Sequence, residues 1–144
     1  MRSTSFTPIG EDVPLAGWGI RALGAIGDAV VVGLGTYGID LIAGVHSRTG
    51  YAYLDLVVSF VYSFALVGFF GHTLGMAVLR LYAVDIVEGR TPVGPLRAAI
   101  RSFVAGVLTV IPLAALVDLL WPLWDARNQT IHDKAAGTLV LRQG

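Results

Sequence analysis

Arg21 and Asp28 are the residues whose types and spacing first indicate chemistry in this sequence. They lie seven residues apart in IRALGAIGDAVVVGLG, where every other residue is small or apolar. This spacing places both on one face of a helix, with about 10.5 Å of rise between them. A charge inside a bilayer is costly, so we expect these two residues to have a role, and two interpretations of that role stay open. The pair either locks helices together or includes a titrating site on an ion or proton path.

The energetic cost of these charges argues against an accidental placement. Near the centre of a membrane helix, Arg and Asp cost up to about 3.5 kcal/mol each, whereas a large aliphatic residue returns only about 0.3 to 0.6 kcal/mol. Arg21 lies near one end of the apolar stretch, and Asp40 lies near the other, so both side chains can reach the membrane interface. The side chain of Asp28 cannot reach the interface in this way. We therefore expect Asp28 to be completed by a donor from another helix or by water.

Other reactive residue types give weaker patterns. The three histidines, His46, His72 and His132, form no pair at a spacing of three or four residues, so no metal site is predicted. His132 precedes Asp133 and could titrate near neutral pH, although a solvated pair that caps a turn is the simpler interpretation. The sequence has no nucleophile elbow and no phosphate-binding loop. We expect neither enzymatic activity nor a cofactor.

The composition indicates the medium in which these residues lie. The 144 residues are 55% hydrophobic and 14% charged, with a mean hydropathy of +0.71, which is too apolar for an ordinary soluble domain. Ten basic residues balance ten acidic ones, so nothing favours nucleic acid as a partner. The absence of cysteine excludes disulfides. The sequence predicts an integral membrane protein whose first partner is the lipid bilayer.

Three apolar stretches are long enough to cross a bilayer, which takes about 20 helical residues. They cover about 17–45, 53–74 and 98–123. The short gap between the first two predicts a tight antiparallel helical hairpin. The third stretch contains Pro112 and Asp118, so it forms either one kinked crossing, which we prefer, or an interfacial helix followed by a shorter crossing.

The other segments are polar or resemble strands. Residues 1–16 predict a flexible N-terminal tail ahead of a single transmembrane domain, and residues 124–144 predict a polar C-terminal tail. Leu79–Val87 and Thr138–Leu141 are strand candidates. If they paired, both would lie on one side of the membrane and the count of three spans would fail.

The expected fold is all-α, with three transmembrane helices, an interfacial segment and room for a small two-stranded β element between spans two and three. A slight excess of Lys and Arg favours a cytoplasmic N-terminus.

The first apolar stretch has two different faces when it is drawn as a helix. A small and polar face suits close approach of a neighbouring helix, and a large apolar face suits lipid. The small face holds Arg21, Gly24, Ala25, Asp28, Val32 and Gly35. The apolar face holds Leu23, Ile26, Val30, Leu34, Tyr37 and Leu41.

Three motifs, in this order, resemble those of the RDD family of bacterial membrane proteins. The first is the pair Arg21 and Asp28. The second resembles a G-x-T-x-G element followed by a valine–aspartate strand and an arginine-bearing helix, and its residues are Gly71, Thr73, Gly75, Asp85 and Arg101. The third resembles an aspartate followed by a small-residue turn, and its residues are His132, Asp133, Gly137 and Thr138. The match covers about 17–141.

The resemblance implies a multi-pass protein of the bacterial plasma membrane, with Arg21, Asp28 and Asp133 as the defining residues of the family. Met76 stands where the family often has a lysine, so a role for a cation at this point is not carried over. Some members are proposed transporters, including sodium–proton exchangers, and others are modules of larger membrane proteins.

Two functions follow from the sequence and the resemblance. The first is an accessory or scaffold subunit that docks by its small-residue helix faces. The second is an ion- or proton-coupled transporter that uses Asp28 with Arg21. Because three spans do not easily enclose a polar pathway, both functions lead us to expect a homo-oligomer or a larger membrane-protein complex.

Overall fold

The computed structural model describes residues 14–144, and these form six helices, one 3-10 turn and two strands. The elements in chain order are α1 (Trp18–Ala43), α2 (Arg48–Phe70), α3 (Leu74–Val78), β1 (Leu81–Asp85), α4 (Pro95–Val110), α5 (Pro112–Leu120), the 3-10 turn (Trp121–Leu123), α6 (Ile131–Ala136) and β2 (Thr138–Arg142). The predicted tail over residues 1–13 lies outside the described residues.

Helices α1 and α2 form the predicted antiparallel hairpin. They contain 26 and 23 residues, which give lengths of about 39 and 34 Å, enough for a hydrocarbon core of about 30 Å. α1 ends at Ala43 and is capped by Gly44, which adopts the left-handed conformation with φ of 65°. α2 begins at Arg48, earlier than predicted, because the Ser47 side chain accepts a hydrogen bond from the Gly50 N–H and caps the helix.

The two predicted faces of α1 are present in the structure. The six residues of the apolar face are all exposed, and Leu34 has the largest exposed fraction of them, at 68%. On the small face, Gly24 and Val32 are buried, but Ala25 and Gly35 are exposed. The small face therefore packs against the rest of the chain only in part, and the apolar face is free to contact lipid.

The third apolar stretch forms two separate helices, where we preferred one kinked crossing. α4 ends at Val110, Ile111 is extended, and α5 begins at Pro112. Proline has no backbone N–H and its ring clashes with the preceding turn, so Pro112 begins a helix instead of continuing one. The resulting helices have 16 and 9 residues, and neither is long enough to cross a bilayer alone.

Helices α4 and α5 leave one end of the α1–α2 hairpin and return to the same end. The start of α4 packs near the end of α2, where a Cβ built on Gly68 would lie 3.1 Å from Ala98 Cβ. The end of α5 contacts the start of α1, because Trp18 Nε1 donates a hydrogen bond of 2.9 Å to the Leu119 carbonyl. The pair of helices is thus a re-entrant hairpin, and a third span is not confirmed.

A small antiparallel sheet lies at this same end of the hairpin. β1 pairs with β2 in a register that places Ala83 opposite Val140. On the other edge of β2, Ala16 N donates to Val140 O at 3.0 Å and Arg142 N donates to Pro14 O at 2.9 Å. The β element was expected between spans two and three, but its second strand comes from the C-terminal region. Residues 14–16 also belong to this sheet and not to a tail.

The region predicted as a polar C-terminal tail is folded and partly buried. It contains α6 and β2, and Asp133 and Thr138 have no exposed surface. A capping box starts α6, since the Thr130 side chain accepts from the Asp133 N–H and the Asp133 side chain accepts from the Thr130 N–H. The sequence-based prediction was wrong here because it read polar residues as solvated, whereas they bind one another.

Candidate functional site

Asp133 is the centre of a buried charge cluster. Its carboxylate forms ion pairs with Arg21 of α1 and with Arg101 of α4. Arg101 Nη1 also donates to Thr138 Oγ1 at 3.2 Å. Burial alone would raise the pKa of Asp133, but the charges of Arg101 and Arg21 outweigh burial and hold this pKa far below its ordinary value. Asp133 is therefore an anion that joins α1, α4 and α6.

The predicted charge pair of Arg21 and Asp28 is not formed as an ion pair. Arg21 binds Asp133 instead, although Asp133 lies 112 residues further along the chain. The two helical turns between Arg21 and Asp28 already made a direct contact hard to reach, and α6 brings a carboxylate closer. One nitrogen of the Arg21 guanidinium, Nη1, is buried and has no hydrogen-bond partner among the described residues.

Asp28 is completed by donors from other helices, as expected. Tyr62 of α2 and Thr73, the N-cap of α3, each donate a hydroxyl hydrogen bond of 2.6 Å to it. The Gly75 N–H donates a third bond of 2.8 Å. All three donors are neutral, and together they occupy both oxygens of the carboxylate. Asp28 is thus a fixed acceptor that ties α1 to α2 and α3.

The glycines of the G-x-T-x-G element are required by close contacts. A Cβ built on Gly75 would lie 2.2 Å from the Gly24 carbonyl oxygen and 2.8 Å from Asp28 Oδ1. Gly71 has φ of 80°, and a Cβ there would lie 2.1 Å from Thr91 Oγ1. Only glycine lets α3 approach α1 closely enough for its backbone to bind Asp28.

The signature residue Asp85 forms a second ion pair with Arg97, which was not singled out from the sequence. Arg97 Nε lies 2.8 Å from Asp85 Oδ2, and Arg97 Nη1 donates to the Ala136 carbonyl at 3.0 Å. Gly137 ends α6 with φ of 64°, and a Cβ there would lie 2.7 Å from Arg97 Nη1. These contacts join the end of β1 to α4 and to the end of α6.

His132 is bound to Asp118 of α5 and is not a solvated partner of Asp133. Its Nδ1 lies 2.7 Å from Asp118 Oδ2, and its backbone N–H donates to Asp118 Oδ1 at 3.1 Å. The other ring nitrogen, Nε2, lies 3.9 Å from Asp133 Oδ1. The imidazole therefore lies between two carboxylates, at the edge of the charge cluster.

A cavity of about 470 Å³ lies between α1, α2, α4 and α5. Along α1 its lining extends from Trp18 to Val32, which corresponds to about 21 Å of helix rise. Small and apolar side chains form most of its wall. The ionisable side chains that line it are Arg21, Asp28, Asp55, Tyr62, Arg101, Asp118 and His132.

Sequence reasoning missed Asp55 and Tyr62 as site residues, and it treated Asp118 only as a possible disruption of a helix. Asp55 accepts a hydrogen bond of 2.9 Å from Thr36 Oγ1 of α1. Both Asp55 and Asp118 lie inside apolar stretches, so the cost argument that singled out Asp28 would also have found them. No comparable signal marks Tyr62.

Metal chemistry gains no support from the described part of the chain. In residues 14–144, no group of three or more His, Asp or Glu side chains is arranged to hold a metal ion. His46 and His72 do not line the cavity. The expectation that the protein has no metal stays a prediction.

Two long apolar helices joined to a buried cluster of charges define a helical membrane protein with a polar interior. The chain belongs to the RDD family, because the model of the RDD family matches residues 15–137, which is most of its length. The matched region contains each of the three motifs through Gly137, and the family assignment made from them is confirmed. No curated protein and no solved structure matches the chain significantly.

Proposed function

We propose that the protein is a cation–proton exchanger of the bacterial plasma membrane and that the cavity is its binding site. The observation that carries this proposal is the charge in and next to the cavity. In their ionised forms, four carboxylates face two guanidinium groups, which leaves an excess of two negative charges. These residues are Asp28, Asp55, Asp118, Asp133, Arg21 and Arg101.

The length of the cavity also supports transport. Its extent of about 21 Å along α1 is a large part of a hydrocarbon core of about 30 Å. The re-entrant helices α4 and α5 line one side of the cavity, so residues of a single chain form this site without a third span. The homo-oligomer or larger complex that we expected from the sequence stays a prediction.

Asp55 gives the cleanest test of this function. Asp55→Asn removes one cavity charge but keeps an oxygen that can accept the Thr36 hydrogen bond, so the fold should persist. The purified protein would be reconstituted into liposomes with a pH gradient, and sodium and potassium uptake would be measured. We expect flux in the wild type and a loss of at least about tenfold in Asp55→Asn.

Asp40→Asn is the matched control, because Asp40 lies on the same hairpin but does not line the cavity. This variant should keep the wild-type flux. Absence of any pH-driven cation flux in the wild type, at every protein density tested, would contradict the proposal. Equal losses in both variants would contradict the assignment of the cavity as the passage.

A second candidate is the accessory or scaffold subunit, and one observation favours it. A Cβ built on Gly35, on the small face of α1, would meet nothing within 4 Å, so this position has no partner among the described residues. Docking there predicts that Gly35→Leu breaks a complex seen by native mass spectrometry in mild detergent. Gly19→Leu, on the same helix and equally open, is the control and should leave the complex intact. Neither function requires enzymatic activity.

A further inference from the structure

His132 combines three properties that no other histidine of the chain has. It lines the cavity, it contacts the buried charge cluster, and its ring nitrogens have two different environments. Histidine is also the side chain whose ordinary pKa lies nearest neutral pH. The carboxylates of the cluster carry the charge, but an imidazole is better suited to gain and lose a proton under cellular conditions.

The hydrogen bonds of Asp118 fix the tautomer of neutral His132. Asp118 accepts the backbone N–H of His132 with one oxygen and lies 2.7 Å from Nδ1 with the other. A carboxylate accepts hydrogen bonds, so the proton of the neutral ring belongs on Nδ1. Nε2 is then the basic nitrogen, and Asp133 Oδ1 lies 3.9 Å from it.

Charged groups approach the ring from each element that packs around it. Asp133 belongs to α6 itself, and Asp118 belongs to α5. Arg101 of α4 and Arg21 of α1 reach it through Asp133, which binds both. Across the same cavity lie Asp28, Asp55 and the Tyr62 hydroxyl. A proton on Nε2 reduces the excess negative charge around the cavity from two to one.

Asp28 is less suited to carry an exchanging proton. Its two oxygens already accept three hydrogen bonds from Tyr62, Thr73 and Gly75. Protonation would turn one acceptor oxygen into a donor that faces existing donors, and it would loosen the contact of α1 with α2 and α3. His132 can be protonated on Nε2 without breaking a hydrogen bond.

We propose that Nε2 of His132 is the proton-binding site of the exchanger and that a proton there competes with a monovalent cation for the negative cavity. This inference rests on the proposed function. When Nε2 is neutral, the two excess negative charges favour a cation near the carboxylates. When Nε2 takes a proton, the cavity loses part of that attraction and releases the cation. Asp118 acts as a positioning residue, because it holds Nδ1 protonated.

The test is an NMR titration of the histidine ring nitrogens in the full-length protein, purified in detergent micelles. Sodium chloride would be varied at constant ionic strength, with N-methyl-glucamine chloride as the replacement salt. If sodium and the proton on Nε2 exclude each other, the pH at the midpoint of the His132 titration should fall with rising sodium. The expected fall is about one pH unit for each tenfold rise in sodium concentration above the sodium dissociation constant. His46 and His72 should not respond, and the variants His46→Gln and His72→Gln assign their signals.

The outcomes separate this inference from the proposed function. A His132 midpoint that does not depend on sodium or potassium, in a protein that still exchanges cations in liposomes, overturns the role of His132 and leaves the exchanger standing. A midpoint that depends on sodium, in a protein without flux, supports the competition and overturns transport.

Asp118→Asn gives a second measurement. This substitution should move the proton of the neutral His132 ring from one nitrogen to the other, which the nitrogen chemical shifts would show. A merely structural role for Asp118 would leave the ring tautomer unchanged.

Discussion

Asp133 is the residue on which the polar interior depends. Its carboxylate is fully buried and is the counter-charge of both Arg21 and Arg101. Removing one partner of a buried ion pair is costly, because the other charge stays in a medium of low polarity. The same side chain also caps α6, so one carboxylate determines helix start, helix packing and charge balance together.

Asp133→Asn should therefore lower the free energy of unfolding by about 3 to 5 kcal/mol. The measurement is unfolding of the purified protein in mixed micelles, followed by circular dichroism. Glu88→Gln is the matched control, because the ion pair of Glu88 with Arg90 is solvent-exposed and should contribute less than about 1 kcal/mol. Equal effects of the two substitutions would show that the buried cluster has no special role in stability.

The lowered pKa of Asp133 also predicts how stability depends on pH. A carboxyl group whose pKa is lower in the folded state contributes stability that is fully present above its unfolded-state pKa, near about 3.9. That contribution is lost as the pH falls below this value. The free energy of unfolding should decrease as the pH falls from about 4 to about 2 in the wild type and change less in Asp133→Asn. A wild type and variant with parallel pH profiles would contradict this prediction.

At the scale of elements, the sequence signature specifies a close contact of α1 with α3. Gly75 allows the α3 backbone to bind Asp28, and it leaves no room for a methyl group beside Gly24. Thr73 contributes from the same turn, because it caps α3 and donates to Asp28. The G-x-T-x-G element thus supplies hydrogen-bond donors that bind a carboxylate of another helix.

Gly75→Ala should destabilise the protein by about 1 to 3 kcal/mol, because the new Cβ would overlap backbone atoms of α1. Gly19→Ala on α1 provides the contrast, since a Cβ there meets nothing within 4 Å. An alanine in place of an exposed helical glycine should leave stability unchanged or raise it by up to about 1 kcal/mol. Unfolding in mixed micelles measures both. Effects of the same sign and size would contradict the close contact.

The elements that the sequence could predict are those set by local patterns. The apolar face of α1, the hairpin of α1 and α2, and the need of Asp28 for a donor all follow from periodicity, length and the cost of burying charge. The re-entrant hairpin does not follow, because an apolar run with Pro112 fits a kinked span equally well. The pairing of Arg21 with Asp133 joins residues 112 positions apart, and no local pattern reports such a contact.

At the scale of the whole molecule, the Lys and Arg residues are concentrated at one end. The sheet, both ends of the re-entrant hairpin and the start of α1 lie at the same end of the α1–α2 hairpin. Of the nine Lys and Arg residues in the described part of the chain, Arg48 alone lies at the opposite end. Basic residues favour the cytoplasmic side. The excess of Lys and Arg on one side of the membrane, which was slight when three spans were assumed, is therefore clear for the two-helix hairpin. The end of the molecule that holds the sheet is predicted to be cytoplasmic.

Cysteine labelling tests this orientation directly, because the chain contains no native cysteine. Thr49→Cys places a thiol at the end of the hairpin where α2 begins, and Glu88→Cys places one beyond β1, both at exposed positions. A membrane-impermeant thiol reagent added to intact spheroplasts should label only Thr49→Cys, and lysed membranes should label both variants. The reverse pattern would invert the orientation, and labelling of both variants in intact spheroplasts would contradict a hairpin that crosses once in each direction.

The position of Asp133 near the C-terminal end of the matched region has a consequence for biosynthesis. Arg21 and Arg101 leave the ribosome before their shared carboxylate is translated, and the first of them precedes it by 112 residues. Until α6 is made, Arg21 and Arg101 lack this buried carboxylate. The ion pairs that join α1 and α4 to α6 can therefore form only after the last of the three motifs has been synthesised.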